Sequence, residues 1–202
     1  DPTLNRTTEA SGKVTEYTTD ELTTLDAGAW KRPEFANLDT TKLTTLDHVL
    51  DRYNGVSVFM SIQFKSSIHE IRNAISLIEA RHMRPQCFLF ANRAWIGQLK
   101  KEYPNYFVMN DGFHPQADAL LDQAIDENWD AISPGVDHIT PQLVSRAHEH
   151  GILVQASIIH SEFHKRSIDL LDMNVNFLLG DHSAEMVRAV HEQGLRQIVP
   201  PS

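Results

Sequence analysis

The sequence predicts an α/β fold built on a parallel sheet. Three observations lead there. Six short apolar runs recur from Val56 onward. They are near-continuous rather than alternating, as strands buried on both faces are. Between them lie stretches with the 3.6-residue spacing of amphipathic helices.

The elements follow in order. Residues 1–45 are rich in Thr and carry turn residues such as Pro2, Gly12, Gly28 and Pro33. This segment reads as loop and small helices. One short helix is predicted after Thr18, whose side chain and Glu21 make the two halves of a capping box. The apolar runs are Val56–Phe64, Cys87–Phe90, Tyr106–Met109, Ala131–Ile132, Ile152–Ile159 and Val175–Leu179. Ile68, Ile71, Ile75 and Ile78 mark a helix after the first run, and Leu120, Leu121, Ala124 and Ile125 another after the third. Thr140 followed by Pro141 is an N-cap with proline at the first helical position, and Gly151 closes that helix. Met186, Val187 and Val190 give the last helical stripe. Six βα units result. A doubly wound sheet is complete with six strands and a (β/α)₈ barrel needs eight, so periodicity alone leaves both open.

Composition narrows the function. Eighteen basic residues against 27 acidic give a net charge of −9. Such a chain lacks the basic face that grips nucleic acid, so no nucleic-acid partner is expected. Cys87 is the sole cysteine, which excludes an internal disulfide and a thiolate metal cage; within its apolar run it reads as core. The apolar runs are too short to span a bilayer.

Reactive groups of parallel α/β folds sit at the carboxyl ends of strands. The first run ends Ser61-Ile62-Gln63-Phe64-Lys65. Strand alternation places Ser61, Gln63 and Lys65 on one side and Met60, Ile62 and Phe64 on the other. Lys65 there suits a phosphate or a developing oxyanion, and a solvated strand end is the plainer account. The other ends read Phe90-Ala91-Asn92, Asn110-Asp111, Ser133-Pro134-Gly135, Ser157 to His160, and Gly180-Asp181-His182. Each is also explained as a turn or cap. His160 and His164 stand four apart, His148 and His150 two apart, and no HExxH set accompanies either pair. Neither a glycine-rich dinucleotide fingerprint nor a GxSxG elbow occurs. The residues alone therefore give an enzyme-like scaffold and no reaction.

The opening goes further. Asp1-Pro2-Thr3-Leu4-Asn5-Arg6-Thr7-Thr8, Ser11-Gly12-Lys13-Val14, Thr18 to Glu21-Leu22, Leu25-Asp26-Ala27-Gly28-Ala29-Trp30 and Pro33-Glu34-Phe35 stand in one ordered string. Thr44-Thr45-Leu46-Asp47-His48-Val49-Leu50 follows. This string resembles the "HDPTLDRTT…G" block and "PTLEEVL" helix of the glycerophosphodiester phosphodiesterase family. Weaker similarity continues through Ala147-His148-Glu149-His150-Gly151 and Leu179-Gly180-Asp181. The resemblance implies one domain over residues 1–202, a partial TIM (β/α)₈ barrel. Its six units are the third to eighth, preceded by the insertion segment 1–45. The first two units, with the family's two catalytic His and acidic metal-binding pair, are expected to precede Asp1, so the chain reads as N-terminally shortened.

The implied function is hydrolysis of glycerophosphodiesters to glycerol 3-phosphate and an alcohol in lipid metabolism, with Mg²⁺ or Ca²⁺ as the family's divalent metal. Lys65 matches the catalytic Lys of the family's Glu-x-Lys strand motif. Gln63 stands at its metal-ligand Glu, keeping an oxygen without the charge. The Trp and Asn of the family's "WTVN" strand fall at Ser157 and His160; Ser157 and Asp181 are the expected substrate-binding positions. Membrane association is expected only through a preceding N-terminal part. Two readings result: a hydrolase of a divergent subgroup, or a non-catalytic barrel homologue that binds a ligand or partner at its mouth.

Overall fold

The computed structural model describes residues 1–112, 114–158 and 162–194. They form two compact units, one of Asp1–Val56 and Lys65–Met83, the other of Ser57–Phe64 and the chain from Arg84 onward.

The first unit holds helices α1 (Thr19–Thr24), α2 (Leu46–Tyr53) and α3 (Ile68–Glu79), joined by 3₁₀ turns. The predicted capping box forms: the Thr18 N–H donates to Glu21 Oε2 at 2.8 Å, and the Glu21 N–H to Thr18 Oγ1 at 3.3 Å. Two antiparallel bridges, Thr3 with Lys13 and Asp26 with Lys42, close the loops of the insertion segment. Asp26 is the hub. Its buried carboxylate accepts from the N–H groups of Gly28 (3.1 Å) and Ala29 (3.2 Å) and from Thr41 Oγ1 (2.9 Å). Gly28 is required there, since a Cβ would stand 2.2 Å from the Phe35 carbonyl oxygen. Thr45 caps α2 by accepting from the His48 N–H at 3.2 Å. Arg81, after α3, donates at 2.7 Å to both Asp47 and Asp51 of α2.

Burial pushes the Asp26 carboxyl up, but its hydrogen bonds outweigh that and hold it below the ordinary carboxylate value. A carboxyl whose folded pKa is lowered stabilises above its unfolded pKa, and that contribution is lost as pH falls through the folded value. Asp26→Asn is therefore expected to melt below wild type at neutral pH. The gap should close below about pH 4. Melting curves between neutral and acid pH check this; a gap independent of pH would contradict it.

The second unit is a sheet of β1 (Met60–Gln63), β2 (Cys87–Ala91), β3 (Phe107–Asn110), β4 (Ala131–Ile132), β5 (Leu153–Ile158) and β6 (Phe177–Gly180), with helices α4 (Arg93–Glu102), α5 (Ala117–Asp126), α6 (Pro141–Glu149), α7 (Phe163–Asp172) and α8 (Ser183–Glu192). The strands stand in sequential order, and every neighbouring pair is parallel. Sequential order decides between the two architectures. A doubly wound sheet reverses strand order at a switch point, whereas a barrel adds each unit beside the last. The unit is a partial (β/α)₈ barrel.

Each strand presents two faces. On one, the rings of Phe88, Phe107 and Phe177 pack with centroids 5.8–6.1 Å apart, beside Phe90, Met109 and Ala131. On the other, Leu89, Val108, Ile132, Val154, Ala156 and Ile158 are buried. Cys87 is also buried, and burial pushes its thiol up to about 11. The caps predicted for α6 form, with the Leu143 N–H donating to Thr140 Oγ1 at 3.1 Å and Gly151 at a φ of 71° after the helix.

The first strand is shorter than its apolar run. Met60 pairs with Cys87, and the residues before Cys87 form a 3₁₀ turn, Arg84–Gln86. Val56–Phe59 therefore have no strand beside them to pair with. Two polar residues ahead of strands do work the apolar pattern does not show. Asp130 Oδ2 accepts from the Val108 N–H at 2.8 Å and from Lys100 Nζ at 2.7 Å. Asn176 Oδ1 accepts from the Val154 N–H at 2.8 Å and contacts His148 Nε2 at the same distance. His148 thus belongs to a strand-end support.

Candidate functional site at the strand carboxyl ends

The site residues of the second unit stand where the strands end. In β1, Ser61 and Gln63 are exposed, Met60 and Ile62 half-buried, and Phe64 buried, which is the alternation predicted. Register carries the face of Gln63 across the sheet, where it becomes buried: Gln63 pairs with Phe90, and Phe90 with Met109. Asp111 lies two residues beyond Met109. Its N–H donates to the Ala91 carbonyl at 2.6 Å, so the backbone continues the ladder and brings its side chain to the same face as Gln63. There the Gln63 amide Nε2 donates to Asp111 Oδ1.

Asn110 forms a second, buried arrangement. Its Nδ2 donates to the carbonyls of Ser133 (3.0 Å) and Gly112 (3.1 Å), and its Oδ1 accepts from the Ser133 N–H at 2.7 Å. β3 and β4 share a single paired position, Met109 with Ala131. The Asn110 side chain thus replaces the main-chain pairing beyond it. Gln155 of β5 extends the network, donating from Nε2 to Ser133 Oγ at 3.3 Å.

Ser157 is 3% exposed in β5 and pairs with Leu179 of β6. Asp181 is exposed in the bend after β6. Lys65 is exposed in the bend after β1 and belongs to the first unit. His160 lies outside the described residues. His164 contacts Glu192 through Nε2 at 2.7 Å, linking α7 to α8. His182 stacks on Phe163 with ring centroids 4.2 Å apart, and its Nδ1 is 3.8 Å from Glu185.

Sequence reasoning missed three residues. Gln155 is one of two polar residues inside its apolar run, with Ser157, which was its only signal. Arg93 and His114 come together across the ends of β2 and β3: Arg93 Nη1 donates to His114 Nε2 at 2.6 Å. Nothing in their 21-residue separation announces that.

A divalent cation does not fit the described residues. Such an ion takes six or more oxygen ligands and wants carboxylate charge. Among the described residues no group of three or more His, Cys, Asp and Glu side chains is placed to hold a metal. Gln63 and Asp111 offer one carboxylate and one amide, and the amide donates to the carboxylate.

The glycerophosphoryl diester phosphodiesterase family model matches residues 1–185. YhdW of Bacillus subtilis (strain 168), whose name provisionally assigns it to the glycerophosphodiester phosphodiesterases, is 43% identical over 54 residues. That match covers 27% of this chain and 21% of YhdW, about a fifth of the relative's length. A Silicibacter pomeroyi DSS-3 structure, provisionally named a glycerophosphoryl diester phosphodiesterase, superposes with a TM-score of 0.81 at 19% identity, covering 98% of this chain and 79% of that one. An Oleispira antarctica phosphodiesterase in complex with the product sn-glycerol-3-phosphate gives 0.76 at 18% identity, covering 95% and 77%. The likenesses of structure carry the barrel fold, and the family match runs through the insertion segment and all six strands. The chain belongs to the glycerophosphoryl diester phosphodiesterase family.

Proposed function

We propose that, within its complete protein, the chain serves hydrolysis of glycerophosphodiesters to glycerol 3-phosphate and an alcohol, in lipid metabolism. Family membership across residues 1–185 carries this reading. The chemistry needs a proton acceptor at the attacking water, a donor at the leaving oxygen and positive charge at the phosphate. Lys65, two residues after Gln63, supplies positive charge as the Lys of the strand motif. Ser157 and Asp181 are the substrate-binding positions. In the family a Mg²⁺ or Ca²⁺ ion neutralises phosphate charge; Gln63 is its aligned position here, and among the described residues no cluster of His, Cys, Asp and Glu fills that role.

A second reading is favoured by one observation. The Gln63 amide donates to Asp111 where the family places a metal-binding carboxylate. That suits a homologue that binds a phosphate ester without turning it over.

The test is calorimetric titration of the chain with sn-glycerol 3-phosphate and glycerophosphocholine. Both are expected to bind, and Lys65→Ala to weaken them about tenfold, the loss of one point charge on a phosphate. Absence of binding, or binding indifferent to Lys65→Ala, overturns the assignment.

A further inference from the structure

We propose that Arg93 and His114 form a phosphate-binding pair at the carboxyl ends of β2 and β3, taking the oxyanions of a phosphate ester. The organic part of that ester rests on the functional reading above; the anion site rests on the geometry alone.

Arg93 is the first residue of α4, and its side chain is exposed. A cation at a helix N-terminus lies at the unfavourable end of the helix dipole, where an anion is favoured. The first turn of α4 holds no acidic residue to offset it. Among the described residues no carboxylate pairs with this guanidinium. Its partner is an imidazole nitrogen, His114 Nε2, at 2.6 Å. Arginine can only donate, so Nε2 carries the lone pair and the ring proton sits on Nδ1. Nδ1 lies 3.1 Å from the Gln116 carbonyl oxygen and 3.3 Å from the Gln116 amide nitrogen; with its proton on Nδ1 the ring donates to the carbonyl, and the amide is a close neighbour rather than a donor to it. The His114 carbonyl in turn accepts from the Gly135 N–H at 3.1 Å, tying the loop after β3 to the turn after β4.

The result is a guanidinium held at a fixed angle at the strand ends, with one donor on a neutral ring and four N–H donors left. That is the fork that grips a phosphate through two oxygens. Arg93 is the binding residue. His114 is a positioning residue, acting through the hydrogen bond that aims the fork.

The experiment is titration of the 202-residue chain with inorganic phosphate, read by calorimetry, with melting curves showing that each variant is folded. Arg93→Ala is expected to weaken phosphate at least about tenfold, and Arg93→Lys to recover only part of that, since lysine keeps the charge and loses the fork. His114→Gln keeps an acceptor near Nε2 and should hold affinity within about threefold, whereas His114→Phe should lose about as much as Arg93→Ala. Three results overturn the proposal: no phosphate binding at millimolar concentration, Arg93→Ala within twofold of wild type, or His114→Phe equal to His114→Gln. Should Arg93→Ala not fold, Arg93→Gln answers the same question. The two readings fail separately. Inorganic phosphate bound through Arg93 with no glycerol 3-phosphate binding dependent on Lys65 leaves the pair standing and removes the functional assignment. The converse removes the pair alone.

Discussion

Incubated with glycerophosphocholine and Mg²⁺ or Ca²⁺, the 202-residue chain is expected to release no measurable glycerol 3-phosphate. Among the described residues no group of three or more His, Cys, Asp and Glu side chains is placed to hold a metal, and Gln63 brings no charge to the expected ligand position. Loss of general acid–base groups alone costs about 10²–10⁴-fold in rate, and losing the metal's charge stabilisation adds to it. Three histidines near the strand ends are held by other contacts: His114 by Arg93 and Gln116, His164 by Glu192, and His182 by stacking on Phe163. One substitution sharpens the test. Gln63→Glu would set a second carboxylate beside Asp111 in place of the amide now donating to it. Without a cation the two carboxylates repel, so one of them should titrate higher than usual. With Mg²⁺ or Ca²⁺ the pair gains a charged oxygen ligand, and calorimetry should show tighter binding than wild type. Metal-dependent turnover by the unaltered chain would overturn the first expectation; unchanged metal affinity in Gln63→Glu would remove Gln63 from the ligand position.

Asn110→Ala is expected to be among the most damaging substitutions in the sheet. The Asn110 side chain is 1% exposed and makes three hydrogen bonds, two of them to the N–H and carbonyl of Ser133. Because β3 and β4 pair at one position only, no main chain replaces those bonds. Alanine removes the partners of the buried Ser133 N–H and carbonyl, while the carbonyl of exposed Gly112 can turn to water. At about 1–3 kcal/mol for an unsatisfied buried group, part of it relieved by relaxation, the loss is roughly 2–4 kcal/mol. For a chain of this length that lowers the melting temperature by on the order of 5–10 °C. Asn110→Asp should be no better, since a carboxylate has no N–H to donate and adds buried charge. Thermal melts of the two variants decide it. A drop of less than about 2 °C for Asn110→Ala would mean that β3 and β4 hold together without the side chain.

Much of the architecture was legible because it rests on local rules. Apolar runs marked all six strands within a few residues, and Thr18 and Thr140 cap their helices by short-range geometry that spacing reveals. The ordered motifs of the opening identified the family, and with it the barrel that periodicity left open. Alternation in β1 fixed which residues share the face of Gln63. Other features were decided only by tertiary pairing. The run from Val56 becomes strand only from Met60, because a strand exists where a neighbour pairs with it, and the residues before Cys87 turn instead. Asn110 read as a turn or cap, and Asp130 and Asn176 carried no signal, yet each satisfies main-chain groups of an adjacent strand. The Gln63–Asp111 contact and the Arg93–His114 pair join residues 48 and 21 positions apart. A parallel sheet brings such residues together because every strand ends on the same side, and sequence spacing, set by the lengths of the intervening helices, carries no trace of that meeting.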